Sequence, residues 1–553
     1  MRRPVSTALA AALVLALAGC VGIPTSGGVN DGAIIDGQTA PEFVVLPNDP
    51  IPGSTQQQIL ADFMQAVSSP QNGYQVAKKF LTADLASTWN PDASAIIRTS
   101  SVAAETTATD TMTYSFSSKA SVDPTGQFQE ARDISAQSLT FVFAKENGEW
   151  RISQAADGIV LSQSGFDTAF RRQALYFFDP SYAYLVPDVR WFPARQTSSR
   201  RVVEALLAGP APWLQQAVTT AFPDATSVGG VTAEPDGVVV DLSTEALSSD
   251  ARARDRMRQQ LVATLDRPNV SLTVRGLELA TPDATGDRAV IPTVDPAVLI
   301  GASGTAFGFD GGSGITPVKG LTDQVVAGGA VTADLASDKQ SVAFSDAAGA
   351  VFVALAGDTE ATLIDGQPGH AAPAIDPFRF IWSALAADAS TLKASAVDGS
   401  APHAIPGLPA DNAVVSMDVS RDGARLLLLL STPVGPRLIV VGIIRQDNVP
   451  VALGQPLDLP VGSEAPLDAT WVDDRTVATV AVDADGHSFV TAFEIGGPSV
   501  SLGRVDGALT IAGGASGTDG LRVLTAAGEI WRPRGSEGWV ATGIKAGFLA
   551  TKQ

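Results

Sequence analysis

One side chain in this 553-residue sequence is marked for chemistry by its neighbours: Cys20, the single cysteine, directly preceded by Leu17-Ala18-Gly19. Ahead of it stand Arg2 and Arg3 and an apolar run from Val5 to Ala18. A basic start, an apolar stretch of about 7–15 residues and small residues before a cut make a secretory signal peptide. A cysteine directly after the small residues is the bacterial lipobox arrangement. It predicts cleavage before Cys20, a diacylglycerol on its sulfur and a palmitoyl group on its freed amine. Each buried CH₂ contributes about 0.8 kcal/mol, and stable anchoring takes two chains or more. The expected location is the cell membrane, with the chain lipid-anchored on its extracytoplasmic face.

Other candidate chemistry is sparse. With Cys20 committed to lipid, neither an internal disulfide nor a thiolate metal site can form. The three histidines, His370, His403 and His487, supply zinc or iron chemistry poorly. No Gly-x-Ser-x-Gly elbow, P-loop or His-Glu-x-x-His string occurs. Asp483-Ala484-Asp485-Gly486, with Glu494 in the twelfth place, has the outline of a calcium loop. Its sixth place is Ser488, where such a loop needs glycine, and Phe489 continues into an apolar strand. A hairpin turn at Asp485-Gly486 is expected instead, with His487 as an exposed turn residue. His370 lies between Gly369 and Ala371, and His403 follows Pro402, so neither shows a partner in sequence. The expectation is a non-enzyme with no catalytic residue, cofactor or metal. A carboxylate pair converging on one site is the arrangement that would reverse it.

The elements that would position any site follow from composition and pattern. Hydrophobic residues make up 45 %, ample for globular cores, and the length suggests three or four domains. The net charge of −21 argues against nucleic acid, which demands clustered Lys and Arg, and against lying flat on anionic lipid. After Cys20, no apolar run reaches the roughly 18 residues of a membrane-spanning helix. Residues 1–19 are the expected signal peptide. Residues 20–53, rich in Gly, Pro, Asn, Asp and Ser, form a lipidated tether that buries too little to offset ordering.

Residues 54–166 are predicted to be an α+β domain. Ile59, Leu60, Phe63, Met64 and Val67 have helical spacing with Ser54 or Thr55 as cap, and Val76, Ala77, Phe80 and Leu81 resume it. Strands are expected at 112–116, 139–143 and 150–152, with an Asn147-Gly148 hairpin turn. Together they suggest a meandering antiparallel sheet forming a cone with an open mouth. Residues 167–297 are predicted to be an α/β domain, with strands at 182–186 and 189–192. A helix bearing Val202, Val203, Leu206 and Leu207 follows and stops at Gly209-Pro210. Next come strand 238–242, a helix with Met257, Leu261, Val262 and Leu265 inward, and strand 270–274. Arg252, Arg254, Arg256 and Arg258 are expected on a solvated face with local ion pairs, a docking patch for an acidic partner being the alternative.

From 298 to 553 short aliphatic runs alternate with Gly, Asp, Ser and Pro, and no helix is expected. Ser337-Asp338-Lys339-Gln340 and Ser420-Arg421-Asp422-Gly423 stand 83 residues apart, each before an apolar run. That suits two units of about 40–45 residues, the length of a propeller blade. Further copies begin at Val472 and Thr518. An all-β propeller of five to seven blades is predicted, a pair of β-sandwiches being the rival. Trp382, Trp471, Trp531 and Trp539 are expected to pack blades.

Leu206-Leu207-Ala208-Gly209-Pro210, Ala221-Phe222-Pro223 and Val240-Asp241-Leu242-Ser243 resemble the GerMN domain of spore-germination proteins, generally a binding module. The whole order, with the opening Cys20-Val21-Gly22-Ile23-Pro24, resembles the actinobacterial lipoprotein LpqB family. That resemblance implies an accessory protein of the MtrAB two-component system that binds the extracellular domain of the sensor kinase MtrB. It also implies that signalling in cell-wall homeostasis and division is modulated. The second expectation is a protein that binds or acts on cell-wall polymer, peptidoglycan, with its site on the propeller.

Overall fold

The computed structural model describes residues 47–195, 198–281, 288–294, 297–311, 314–462, 464–535 and 538–552. Cys20, the signal peptide and most of the tether lie outside the described residues. The remainder is one compact unit.

Helix α1 (Gln56–Ala66) begins at a capping box. Thr55 accepts from the Gln58 backbone N–H, while Gln58 reaches back to the Thr55 N–H at 2.9 Å. It buries Ile59, Leu60 and Phe63, as the spacing predicts. The second expected helix is broken into α2 (Gln75–Lys78) and α3 (Ala83–Thr88), because Asn72 and Tyr74 take left-handed conformations and Thr82 caps anew. Strands β1 (Ala95–Ser101), β2 (Glu105–Ala108), β3 (Thr111–Val122), β4 (Phe128–Glu146), β5 (Glu149–Gln154) and β6 (Ile159–Ser162) form one sheet, in the order β5-β4-β3-β1-β6 with β2 alongside β3. Asn147 and Gly148 have φ of 52° and 85°, the hairpin geometry expected of Asn-Gly. The sheet is not a simple meander: β6 returns to the far edge and pairs parallel to β1. Nor is the cone open, since the space among Phe63, Leu139 and Phe141 is about 40 Å³, close to the volume of one water.

Helix α4 (Gln163–Ala169) leads into β7 (Phe170–Phe178), which the sequence did not announce. The two strands expected at 182–186 and 189–192 are one, β8 (Leu185–Pro193), paired with β7 over its whole length. Residues 182–184 belong to the connecting turn, where Asp179 accepts from Ser181 N at 2.8 Å and Tyr184 N at 2.6 Å. Helix α5 (Ser198–Leu207) ends at Gly209, φ 97°. Then β9 (Val228–Glu234), β10 (Gly237–Leu242), α6 (Ala251–Leu265), β11 (Val270–Val274) and β12 (Leu277–Glu278) complete the second domain. Asp250 caps α6, which carries the chain from β10 to its parallel neighbour β11. The arginines of α6 do not form one solvated face. Arg256 lies 3.6 Å from the Tyr182 ring centre, and Arg258 pairs at 2.9 Å with buried Asp255.

The C-terminal part forms six sheets among the described residues, a six-bladed propeller. Blades two to six cover 332–365, 374–404, 413–459, 465–504 and 508–545. The first blade joins 299–316 to Phe548–Leu549, and Thr551–Lys552 adds a parallel strand to the second. Both ends of the segment therefore share blades, which closes the ring and leaves only short blade edges. The repeats 83 residues apart fall in equivalent turns two blades apart. Leu426 to Leu430 are fully buried, as are Trp382 and Trp471. One feature corrects the all-strand expectation: helix α7 (Thr322–Ala327), which packs Val325 between the first two blades.

Closure depends on Phe548, 6 % exposed and stacked with Phe307; Gly301 leaves the room, since a Cβ there would lie 2.1 Å from the Phe548 ring. Phe548→Ala should lower unfolding free energy by about 3–5 kcal/mol in urea titration, the usual loss for a buried Phe. A loss below about 1 kcal/mol would show that the ring does not depend on this clasp.

Candidate functional site

The β7–β8 hairpin is where the three modules meet. Buried on both faces, it holds Trp191, whose backbone N–H donates to Gly126 O of the first domain at 2.8 Å. The indole N–H of the same residue donates to Gly496 O of the propeller, also at 2.8 Å. Its ring packs on Phe166 and Phe128, with centroids 4.9 and 5.8 Å away. Next to it, buried Arg190 binds Asp188 through two N–H groups at 2.9 and 2.7 Å and donates to Thr125 O. Asp188 also accepts from Ala211 N at 2.8 Å, fixing the loop after α5.

That loop is the plug into the propeller. Ala211, Trp213 and Leu214 pack among Leu427, Leu438 and Val440 of the fourth blade. Gly442 permits the approach, since a Cβ there would sit 2.7 Å from the Ala217 methyl. Polar ties surround the plug. Arg132 donates to Val461 O and Pro436 O, Ser499 N donates to Glu130, and Arg172 pairs with Glu494. Between β3 and β4 the register jumps from Ala120↔Glu130 to Ser118↔Ser135, so the extra residues of β4 carry Arg132 out to the propeller. The Tyr176 phenol hydrogen-bonds Asp474; burial, reinforced by that carboxylate, pushes its pKa well up.

Beside the hairpin a cleft of about 450 Å³ opens between the first and second domains, walled by Phe170, Trp191, Phe192 and several prolines. At one end Asp92 receives two guanidinium groups, Arg195 at 2.7 Å and Arg201 at 2.9 Å. Arg195 also lies over the ring of Tyr74; burial lifts that phenol to about 12, against the opposing pull of Arg195.

The propeller's inner strands carry the carboxylates that any axial chemistry would need, and three of them are committed to the neighbouring blade. Asp334 accepts from Ile375 N at 2.8 Å, Asp418 from Trp471 N and Asp468 from Ile511 N, both at 2.9 Å. His370, which showed no partner in sequence, is buried with Nε2 3.0 Å from Asp365, while Nδ1 faces the carbonyls of Gln367 and Gly349. Lys393 shares Asp365. Burial opposes ionisation of Asp365, but the Lys393 hydrogen bond and the Gln367 N–H outweigh it and hold the carboxyl below its usual range. Asp365, Gln367 and His370 are close in sequence, but Lys393 and the Gly349 carbonyl are brought in by the fold, and no motif marks the cluster. His403 is exposed on an outer strand.

The Asp483–Gly486 stretch is the hairpin turn expected. Asp483 accepts from Asp485 N and His487 N, with Gly486 at φ 83°. Asp483, Asp485 and His487 do bring ligand-type atoms within 4.8 Å of one another, in an exposed turn. Cys20, the expected lipidation residue, lies outside the described residues.

Comparisons place this architecture among known chains. Residues 49–167 match the family model for the N-terminal domain of lipoprotein LpqB, 174–280 the model named for sporulation and spore germination, and 309–546 the LpqB beta-propeller model. A lipoprotein LpqB from Cutibacterium acnes is 31 % identical over 300 residues, covering 52 % of this chain and 50 % of the other. One from Mycolicibacterium smegmatis is 27 % identical over 327 residues, covering 56 % and 55 %. The match thus spans about half the length of these curated relatives. The first GerMN domain of the Bacillus subtilis sporulation protein GerM is 23 % identical over 22 % of this chain and 96 % of its own, with a TM-score of 0.18.

Asp468 gives the propeller a measurable pH signature. Burial, against hydrogen bonds from Ile511, Ser416 and Ala469, raises its pKa to about 6. Between pH 4 and 6 the folded chain keeps this proton and the unfolded chain releases it, so Asp468's contribution to stability falls as pH rises. Relative to wild type, Asp468→Asn should gain about 2–3 kcal/mol between pH 4 and pH 7 in urea titrations. Parallel curves for the two proteins would contradict the burial of a charged carboxylate.

Proposed function

The chain belongs to the lipoprotein LpqB family, and from that premise we propose a non-enzymatic accessory lipoprotein acting outside the cytoplasmic membrane. Lipid on Cys20 anchors it, and it binds the extracellular domain of the sensor kinase MtrB, modulating MtrAB signalling in cell-wall homeostasis and division. The observation that carries this proposal is the Trp191 junction. One buried hairpin joins three modules into a single unit, as a scaffold requires in order to offer surfaces from several domains at fixed spacing. Support also comes from the inner carboxylates of the propeller, occupied as blade latches.

A stable complex must overcome an association cost of about 4–15 kcal/mol, so a sizeable patch should be buried. Residues 21–553 should capture the purified MtrB ectodomain with Kd near or below about 10 μM, and absence of binding at about 50 μM sinks the partner assignment. Sedimentation with purified peptidoglycan instead would favour the wall-binding alternative. In cells, an alkyne-tagged fatty acid should label the chain, and Cys20→Ser should abolish the label. Undiminished labelling of that variant would overturn the anchor.

A further inference from the structure

The cleft between the first and second domains has the dimensions of a ligand site, and its charges say what it accepts. Its volume, about 450 Å³, lies within the range of small-molecule pockets, which favour domain interfaces. Each charged group on its walls has a partner inside the protein, an opposite charge for all but Asp123. Asp92 is bound by Arg195 and Arg201, Arg190 by Asp188, and Glu204 by Arg200 at 2.8 Å. Asp123 accepts from Thr125 and Gln127, through both backbone and side-chain groups. An anion entering here would meet only guanidinium groups already paired and would have to break one of these pairs.

Between those paired groups the surface is aromatic and prolyl: Phe170, Trp191, Phe192, Pro91, Pro124 and Pro210. Ser94 and Gln215 add a hydroxyl and an amide at the margins, enough to orient a ligand through one or two hydrogen bonds. We infer that this cleft is a binding site for a predominantly apolar small molecule without negative charge, of about 20 non-hydrogen atoms. The site is independent of the proposed kinase contact. Its occupant would bridge Trp191 and the Pro124 turn, the two sides of the seam between the first and second domains.

Nile red, a neutral apolar fluorophore, tests this on residues 21–553, with anilinonaphthalene sulfonate as an anionic probe of similar size. Nile red should bind at one site, and the anion about tenfold more weakly or not at all. Ala208 and Gln215 are exposed positions on the second-domain side, so Ala208→Trp and Gln215→Trp each fill the cleft from outside the core. Each should weaken Nile red about tenfold with an unchanged melting temperature, two variants guarding against one that misfolds. The inference is overturned if Nile red does not bind, if both folded variants bind it as wild type does, or if the anion binds equally well.

Discussion

Trp191 holds the molecule together by having two different partners for its two N–H groups. The backbone N–H belongs to the first domain and the indole N–H to the propeller, while the ring sits between two phenylalanines. A lone two-stranded hairpin is marginal in water, so β7–β8 persists because neighbours cover both of its faces. Each such hydrogen bond contributes about 1 kcal/mol net, and each aromatic pair about 0.5–1.5 kcal/mol beyond area burial. The Asp188–Arg190 pair contributes chiefly direction. Its desolvation offsets much of its attraction, yet its hydrogen bonds are met only when Thr125 and Ala211 stand where they do.

The propeller solves a related problem six times over. Its hydrophobic sheets pack with little directional preference, so the seams between blades need polar ties to set their angle. Asp334, Asp418 and Asp468 each reach one blade forward to a backbone N–H. Arg445 binds Asp376 between the third and fourth blades, and Arg425 reaches Asp474 O between the fourth and fifth. His370 and Lys393 meet Asp365 between the second and third. The seams touching the first blade rely instead on the chain's last strands, which pair with both the first and second blades. Covalent continuity and charge thus divide the same task around one ring.

What could be read in advance tracks whether the determinant is local. The capping box at Thr55, the Asn147-Gly148 turn and the polar turns before blade strands are set by residues a few positions apart. Strand β7 is different: after the exposed Arg171 and Arg172, Ala174 to Phe178 have no alternation because both faces are buried, and such runs carry no period. Pro187 and Asp188 look like a turn, yet both lie within the ladder, Asp188 because Arg190 neutralises it in place. The cleft was invisible for a plainer reason. Its walls come from residues 91 to 215, joined only after the first and second domains dock. Lipidation stands at the other extreme, four consecutive residues sufficing to propose it.

The distribution of cations shows which charges hold the modules together. The chain has 37 Lys and Arg against 58 Asp and Glu. Many of the arginines are spent internally: Arg132 and Arg172 on the propeller contact, Arg190, Arg195 and Arg201 at the first seam, Arg425 and Arg445 between blades. Their partners Glu494, Asp188, Asp92, Asp422 and Asp376 are withdrawn with them, so the pairs leave the acidic excess of the chain little changed. Carboxylates such as Asp483 serve turns at the surface, where no cation is tied to them by burial. The net charge of −21 therefore falls on the exterior, which suits a docking protein with a basic or neutral patch. Its encounter would be steered over about one Debye length, roughly 8 Å at physiological ionic strength, and weakened by salt.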